Sequence, residues 1–317
     1  MKLHSIRKLL WKNEGVIPWP KQFHLAINRS FFIVQAFYAI HLFLVVSDFN
    51  LWLEWSTLSQ ILPQWPVYWV HQTGVSSAVH LIFSFNIIAA IGAMFFPEKR
   101  WARLFAAVAI FEFSALVLSF GKTNHTEHAW LWVALLFVFL PQASLKQLHV
   151  SVSLGRRYLQ VFWSAQFLLL IFYTLTGFWK LVAGFYQFFL GETGAFSLNA
   201  LAIHTAARLM ETHANSFLGN FLIEHPLISG PFFWGAIYLE CAAFFVAFRP
   251  RLHRQWGLAM ILFHMANFLA MTINFKKNIL VLALLFVMSP FFPEQSKWLR
   301  NFSDWPLIGR LVKRWAP

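Results

Sequence analysis

Apolar runs repeat along the chain from end to end, broken by short polar or basic stretches. A helix needs about 20 apolar residues to cross the hydrocarbon core of a bilayer. On that scale the runs predict spans over 30–48, 77–96, 104–120, 130–144, 158–181, 231–248, 257–275 and 278–292. The fourth and eighth are short and contain Pro141 and Pro290. The expected fold is all-α: a polytopic integral membrane helix bundle with about eight transmembrane helices. Two segments between spans are long. Residues 49–76 are rich in Trp and Tyr, which suit a membrane interface. Residues 190–230 are too apolar for a free loop and predict short helices on, or dipping into, the outer leaflet.

Basic residues test this map. With the N-terminus in the cytoplasm, the 25 Lys and Arg all fall on the cytoplasmic side except Lys122, Arg208, Lys276, Lys277 and the intramembrane Lys180. That asymmetry predicts both termini inside. Residues 1–24 are basic and amphipathic and lack the apolar core and cleavage site of a secretory signal. They predict a cytoplasmic helix lying on the membrane. Residues 25–295 then form the transmembrane domain, and 296–317 a basic cytoplasmic tail.

Composition agrees. The chain is 59% hydrophobic and only 12% charged, with 38 Phe and 16 Trp, whereas about a quarter of an ordinary soluble domain is charged. The net charge of +13 lines one face, so anionic lipid headgroups, not nucleic acid, are the expected partner. The single Cys241 permits no internal disulfide.

Charges at mid-membrane cost roughly 2.5–3.5 kcal/mol each on insertion scales. His41, His80, Glu112, Lys180, Glu240 and His264 nevertheless lie in apolar runs, with Asn267 one turn after His264. His264 and Glu240 fall near the midplane of their spans and suit a hydrogen-bonded pair joining two helices. Glu112 requires a partner of its own. His41 and His80 read as packing histidines with a satisfied N–H. Lys180 lies about 33 Å along its helix from Arg157, near the outer boundary of the hydrocarbon. It either snorkels to the interface or serves chemistry. In "GKTNHTEHAW", His125 and His128 share a helix face across Glu127. Two histidines without a third ligand do not make a metal site, so no metal is expected. Asn124 and His125 read instead as proton-handling or substrate-orienting groups.

Three segments carry a family resemblance: "TNHTEHAWLWVALLFVFLP", "TGFWKLVAGFYQFFLG", and the stretch from "YLECAAFFVAF" through "LFHMANF" to "LLFVMSP". In this order and spacing they resemble the transmembrane domain of vitamin K-dependent gamma-glutamyl carboxylase and its bacterial relatives, the horizontally transferred transmembrane (HTTM) family. The resemblance implies that Lys180, in "GFWKL", is the base that deprotonates a reduced menaquinone or vitamin K-type quinol. It implies that His125 and His264 are further catalytic residues. Asn124, Glu240 and Asn267 would support them, with Phe178 and Trp179 against the quinol ring. O2, and in the carboxylase CO2, are the implied co-substrates. An amine acts as a base only when neutral, and apolar surroundings withhold the water that an ammonium needs.

The chain departs from the carboxylase in carrying Trp179 where that family has a second lysine, and it lacks the large luminal domain that grips a protein substrate. Carboxylation of a protein substrate is therefore not expected. The expected function is lipid-quinol oxidation by a membrane enzyme of the bacterial cytoplasmic (inner) membrane. The alternative is a non-catalytic maturation or assembly partner for a peptide or redox protein. A transporter with Glu112, Glu240 and His264 as a proton relay lacks the expected inverted repeat and interrupted helices.

Overall fold

A computed structural model describes residues 19–58, 61–121, 127–293, 304–306 and 309. Among them the structure is helical, with no strand. In chain order the helices are α1 (Trp19–Ser47), α2 (Phe49–Ser56), α3 (Val70–Thr73), α4 (Val75–Phe95), α5 (Arg100–Ser119), α6 (His128–Phe137), α7 (Leu145–Val150), α8 (Val152–Phe189), α9 (Ala200–Thr212), α10 (Phe217–Glu224), α11 (Pro226–Ala247), α12 (His253–Met271) and α13 (Lys276–Leu282). A π-helical turn, Ala283–Val287, continues α13.

Five stretches are long and apolar enough to cross a membrane: Gln22–Ser47, Val75–Phe95, Arg100–Ser119, Val152–Phe189 and Pro226–Ala247. The protein is thus a membrane protein by the length and composition of its helices. The runs at 130–144, 257–275 and 278–292 behave differently from the sequence expectation. Helix α6 has only 10 residues, about 15 Å of rise against a hydrocarbon core of about 30 Å. It unwinds before Pro141, which the missing N–H of proline explains. Helix α12 starts earlier than the apolar run, at His253, and its first turn carries His253, Arg254 and Gln255. It ends where Thr272 turns left-handed at φ 55°. The last run is split between α13 and the π turn. The long 190–230 segment does fold into short helices, α9 and α10.

The described chain divides into two compact units at Gln166/Phe167, within α8. In the unit ending at Gln166, small residues let helices approach closely, as is usual between membrane helices. Ala78, Ala89, Ala90 and Ala93 of α4 and Ala102, Ala106, Ala107 and Ala109 of α5 are all buried. Aromatic stacks fill the wider spaces, Phe37 on Trp130 at 4.2 Å and Trp52 on Phe113 at 4.3 Å between centroids. One polar tie joins three helices. His41 Nε2 meets Asn86 Oδ1 at 3.0 Å, and Asn86 Nδ2 donates to the carbonyls of Ile82 and Ala109. His41 is therefore a packing histidine, as its isolation in the sequence suggested. His80 also has a bonded ring nitrogen, on the Ser76 carbonyl at 2.7 Å, but it is exposed and not packed. Glu112 accepts a hydrogen bond from Trp69 Nε1 at 3.4 Å. The fully buried Arg103 donates to the carbonyls of Pro97 and Leu140. Those oxygens lie just past the C-terminal ends of α4 and α6, where helix dipoles favour a cation. Arg103 is thereby a clamp on two helix ends.

The unit from Phe167 onward holds the rest of α8 with α9–α13. Trp256 Nε1 donates to the carbonyl of Leu239 at 2.9 Å and ties α12 to α11. Gly219 of α10 lies so close to α12 that an added Cβ would fall 2.4 Å from the Ala270 carbonyl oxygen. Trp305 is buried, stacks beside Tyr238 and donates to Gln255 Oε1 at 2.9 Å.

Candidate functional site

Helix α8 places Tyr173, Gly177, Lys180 and Gly184 at spacings of four, three and four, which align on one helix face. The two glycines on this face are where neighbours come closest. A Cβ on Gly177 would lie 2.8 Å from Glu240 Cβ and 2.9 Å from both the backbone N and the Sγ of Cys241. A Cβ on Gly184 would lie 2.9 Å from that of Ala195. Glycine at 177 therefore lets α8 and α11 touch at Glu240, and Lys180 follows one turn later within reach of that carboxylate.

Lys180 Nζ lies 2.6 Å from Glu240 Oε1 and 2.8 Å from Oε2, so one ammonium bridges both oxygens. The two partners differ in access: the side chain of Glu240 is 4% exposed and that of Lys180 is 29% exposed. An ion pair with charge-assisted hydrogen bonds of this length is strong in geometry, yet its burial carries a desolvation cost that only good pairing offsets. The open side of the pair is the lysine.

A second polar pair stands within electrostatic range of the first. His264 of α12, itself buried, has its Nε2 2.8 Å from the Tyr173 hydroxyl. The Asn278 side chain of α13 lies near the same hydroxyl. Aromatic rings enclose this cluster. Phe275 lies 4.6 Å from the His264 ring and Trp256 lies 5.4 Å from the Tyr173 ring. Four helices thus contribute polar groups to one place: α8, α11, α12 and α13.

Of the residues singled out in the sequence, the structure brings Lys180, Glu240 and His264 into this cluster. It changes their pairing. Glu240 does not bond His264; its partner is Lys180, and the partner of His264 is Tyr173. Asn267 is half-buried three residues after His264, a spacing that keeps it on the same side of α12. Phe178 and Trp179 are exposed, 59% and 71%. Phe178 stands nearly opposite Lys180 around α8, since each residue advances the helix by about 100°, and Trp179 lies to one side. The structure does not bring them to the ion pair. Asn124 and His125 lie outside the described residues. Among the described residues no three His, Cys, Asp or Glu side chains are grouped to hold a metal ion. Tyr173 and Asn278 were not foreseen. Tyr173 was reachable as the residue seven before Lys180, whereas nothing in the sequence marks Asn278.

Gly177 supplies a test of this geometry. Alanine raises helix propensity over glycine by about 0.5–1 kcal/mol, but here its methyl meets backbone. Overpacking of this kind costs about 1–3 kcal/mol, so Gly177→Ala is expected to lower the melting temperature in detergent. Gly235→Ala in α11, where nothing lies within 4 Å of the added Cβ, is expected to leave it unchanged or raise it. A rise for Gly177→Ala would contradict the close contact.

No protein-family model, curated protein or solved structure matches the chain.

Proposed function

We propose that this chain is a membrane enzyme that takes a proton from a lipid quinol, with Lys180 as the proton acceptor and Glu240 as the carboxylate that first takes the ammonium proton and so leaves Lys180 neutral. The observation that carries the reading is the unequal pair. A covered carboxylate holds, with both its oxygens, an ammonium whose own side chain stays partly exposed. A simple pin between helices does not need an accessible lysine.

The residues present fit a hydroxyl-bearing ring on a lipid tail. The polar cluster offers a basic group backed by a carboxylate, and on its other sides α8 exposes Leu175, Phe178, Trp179 and Val182, which suit a surround of lipid chains. When bound, a quinol supplies an acidic hydroxyl and the two electrons that oxygen takes up. The protein's part is proton handling. Transfer of the ammonium proton to Glu240 leaves a neutral amine beside a carboxylic acid and removes two charges from low dielectric. Neutral Lys180 is then the base. Tyr173 and His264 form a second hydrogen-bonded pair, between α8 and α12. The finer topology belongs to the same proposal. It has eight spans with both termini cytoplasmic, supported by the basic asymmetry, and the bacterial cytoplasmic membrane as its site.

The test is oxygen consumption by the detergent-purified protein with a reduced menaquinone-type quinol. Quinol-dependent uptake is expected in the wild type, and Lys180→Ala is expected to lower it by about 100-fold or more, the usual contribution of a positioned base. Uptake that survives the substitution contradicts the proposal.

A second reading draws on the same pair. Lys180 and Glu240 satisfy one another within the chain, which suits a non-catalytic membrane partner for the maturation of a peptide or redox protein. In that reading the pair only holds α8 against α11.

A further inference from the structure

Helix α9 carries three stripes where a surface helix of a soluble protein carries two, one apolar toward the core and one polar toward water. Ala202, Thr205 and Leu209 are buried against the protein. His204, Arg208 and Glu211 form a polar stripe, in which Arg208 pairs with Glu211 at 3.0 Å. Ile203, Ala207 and Met210 form the third. Their spacings of four and three align them on one face, and all three are exposed. Met210 is 76% exposed, and Phe217, at the start of α10, 90%. Large apolar side chains left open side by side mark a contact with something apolar.

Contacts with α11 set the depth of this row. Helix α11 has 22 residues, about 33 Å of rise, and so crosses a hydrocarbon core of about 30 Å with little to spare. A Cβ on Gly230, near the start of α11, would lie 3.0 Å from the backbone of Leu198, just before α9. The His204 ring lies 5.7 Å from that of Phe233, about 10 Å along α11 from Pro226. The first turns of α9 are therefore level with the hydrocarbon and not above it. Beyond the other end of α9, Ser216 donates to the carbonyl of Leu269, near the C-terminal end of α12. We propose that α9 and the start of α10 are embedded in the lipid leaflet at the N-terminal end of α11. Ile203, Ala207, Met210 and Phe217 lie against acyl chains, and the Arg208–Glu211 pair reaches the headgroups. Apolar burial holds such an interfacial helix, since Arg208 and Glu211 offset one another's charge. The sequence left open whether this segment lies on the leaflet or dips into it, and which face it presents. This placement needs only the membrane character of α11 and not the quinol.

The experiment uses the full-length protein in phosphatidylcholine vesicles, in a Cys241→Ala background. Single nitroxide labels are placed through Ile203→Cys, Met210→Cys and Glu211→Cys. Phe232→Cys, at an exposed position of α11, is the lipid-facing standard. Power-saturation EPR compares collisions with oxygen, which concentrates in hydrocarbon, against collisions with a water-soluble nickel chelate. Labels at Ile203 and Met210 are expected to favour oxygen as the standard does, and the label at Glu211 to reverse that preference toward nickel. Met210→Cys carries the test if Ile203→Cys does not reconstitute. A nickel preference on the apolar stripe overturns the inference, because the stripe then faces water. Protection from both reagents overturns it too, because a second copy or another protein then covers the stripe. An oxygen preference at Glu211 overturns the orientation. These three results leave the quinol reading standing. A nickel preference at Phe232 overturns the membrane placement of α11 and this inference with it.

Discussion

Glu240→Leu, made alone, is expected to destabilise the protein by about 3–5 kcal/mol, because it leaves the ammonium of Lys180 in an apolar setting without its partner. The double variant Lys180→Met/Glu240→Leu is expected to recover most of that loss. Apolar residues of similar volume commonly replace a buried ion pair at little cost, since the desolvation of both charges is removed together. The sign of the coupling is the informative part. Two separate helix contacts would give additive losses, whereas a mutually dependent pair gives a double variant more stable than the Glu240→Leu single. Thermal unfolding in detergent, followed by tryptophan fluorescence, measures all three. Gly177 in the contact between α8 and α11 makes the comparison demanding, because neither helix has room to move closer and fill a gap.

Lys180→Arg is expected to keep the fold and lose the chemistry. A guanidinium bridges a carboxylate at least as well as an ammonium does, through two parallel N–H donors. It therefore retains the pin between α8 and α11. It does not give up its proton under any condition in which the protein is folded, so it cannot act as a base. A structural lysine predicts normal function in this variant. A base predicts a stable protein with quinol-dependent turnover reduced as far as in Lys180→Ala.

The sequence made the membrane character and most of the long helices legible, because run length against bilayer thickness is a local property. The bounds of the later runs were less legible, because a helix end there is set by details such as the left-handed Thr272 or the polar first turn of α12. Lys180, Glu240 and His264 stood out because charge in an apolar run is conspicuous. Their pairing did not. Depth counted along a straight helix placed Lys180 near the outer boundary and Glu240 at the midplane, which separated them. In the structure α8 runs on for another nine residues, to Phe189, in a helix of 38. Contact between α8 and α11 is set by Gly177, not by depth. Tyr173 and Asn278 stayed hidden for a different reason. A tyrosine and an asparagine cost little to place in a sequence, and only their position around the Tyr173–His264 bond gives them meaning.

The central claim is that Lys180 is a base and not a pin. Quinol-dependent oxygen uptake by Lys180→Arg, measured beside the wild type on protein of matched thermal stability, tests it most directly. The account predicts uptake in the wild type and its loss in a Lys180→Arg protein that melts at the wild-type temperature. Uptake by Lys180→Arg at the wild-type rate would contradict it and leave the lysine as a fastening between two helices.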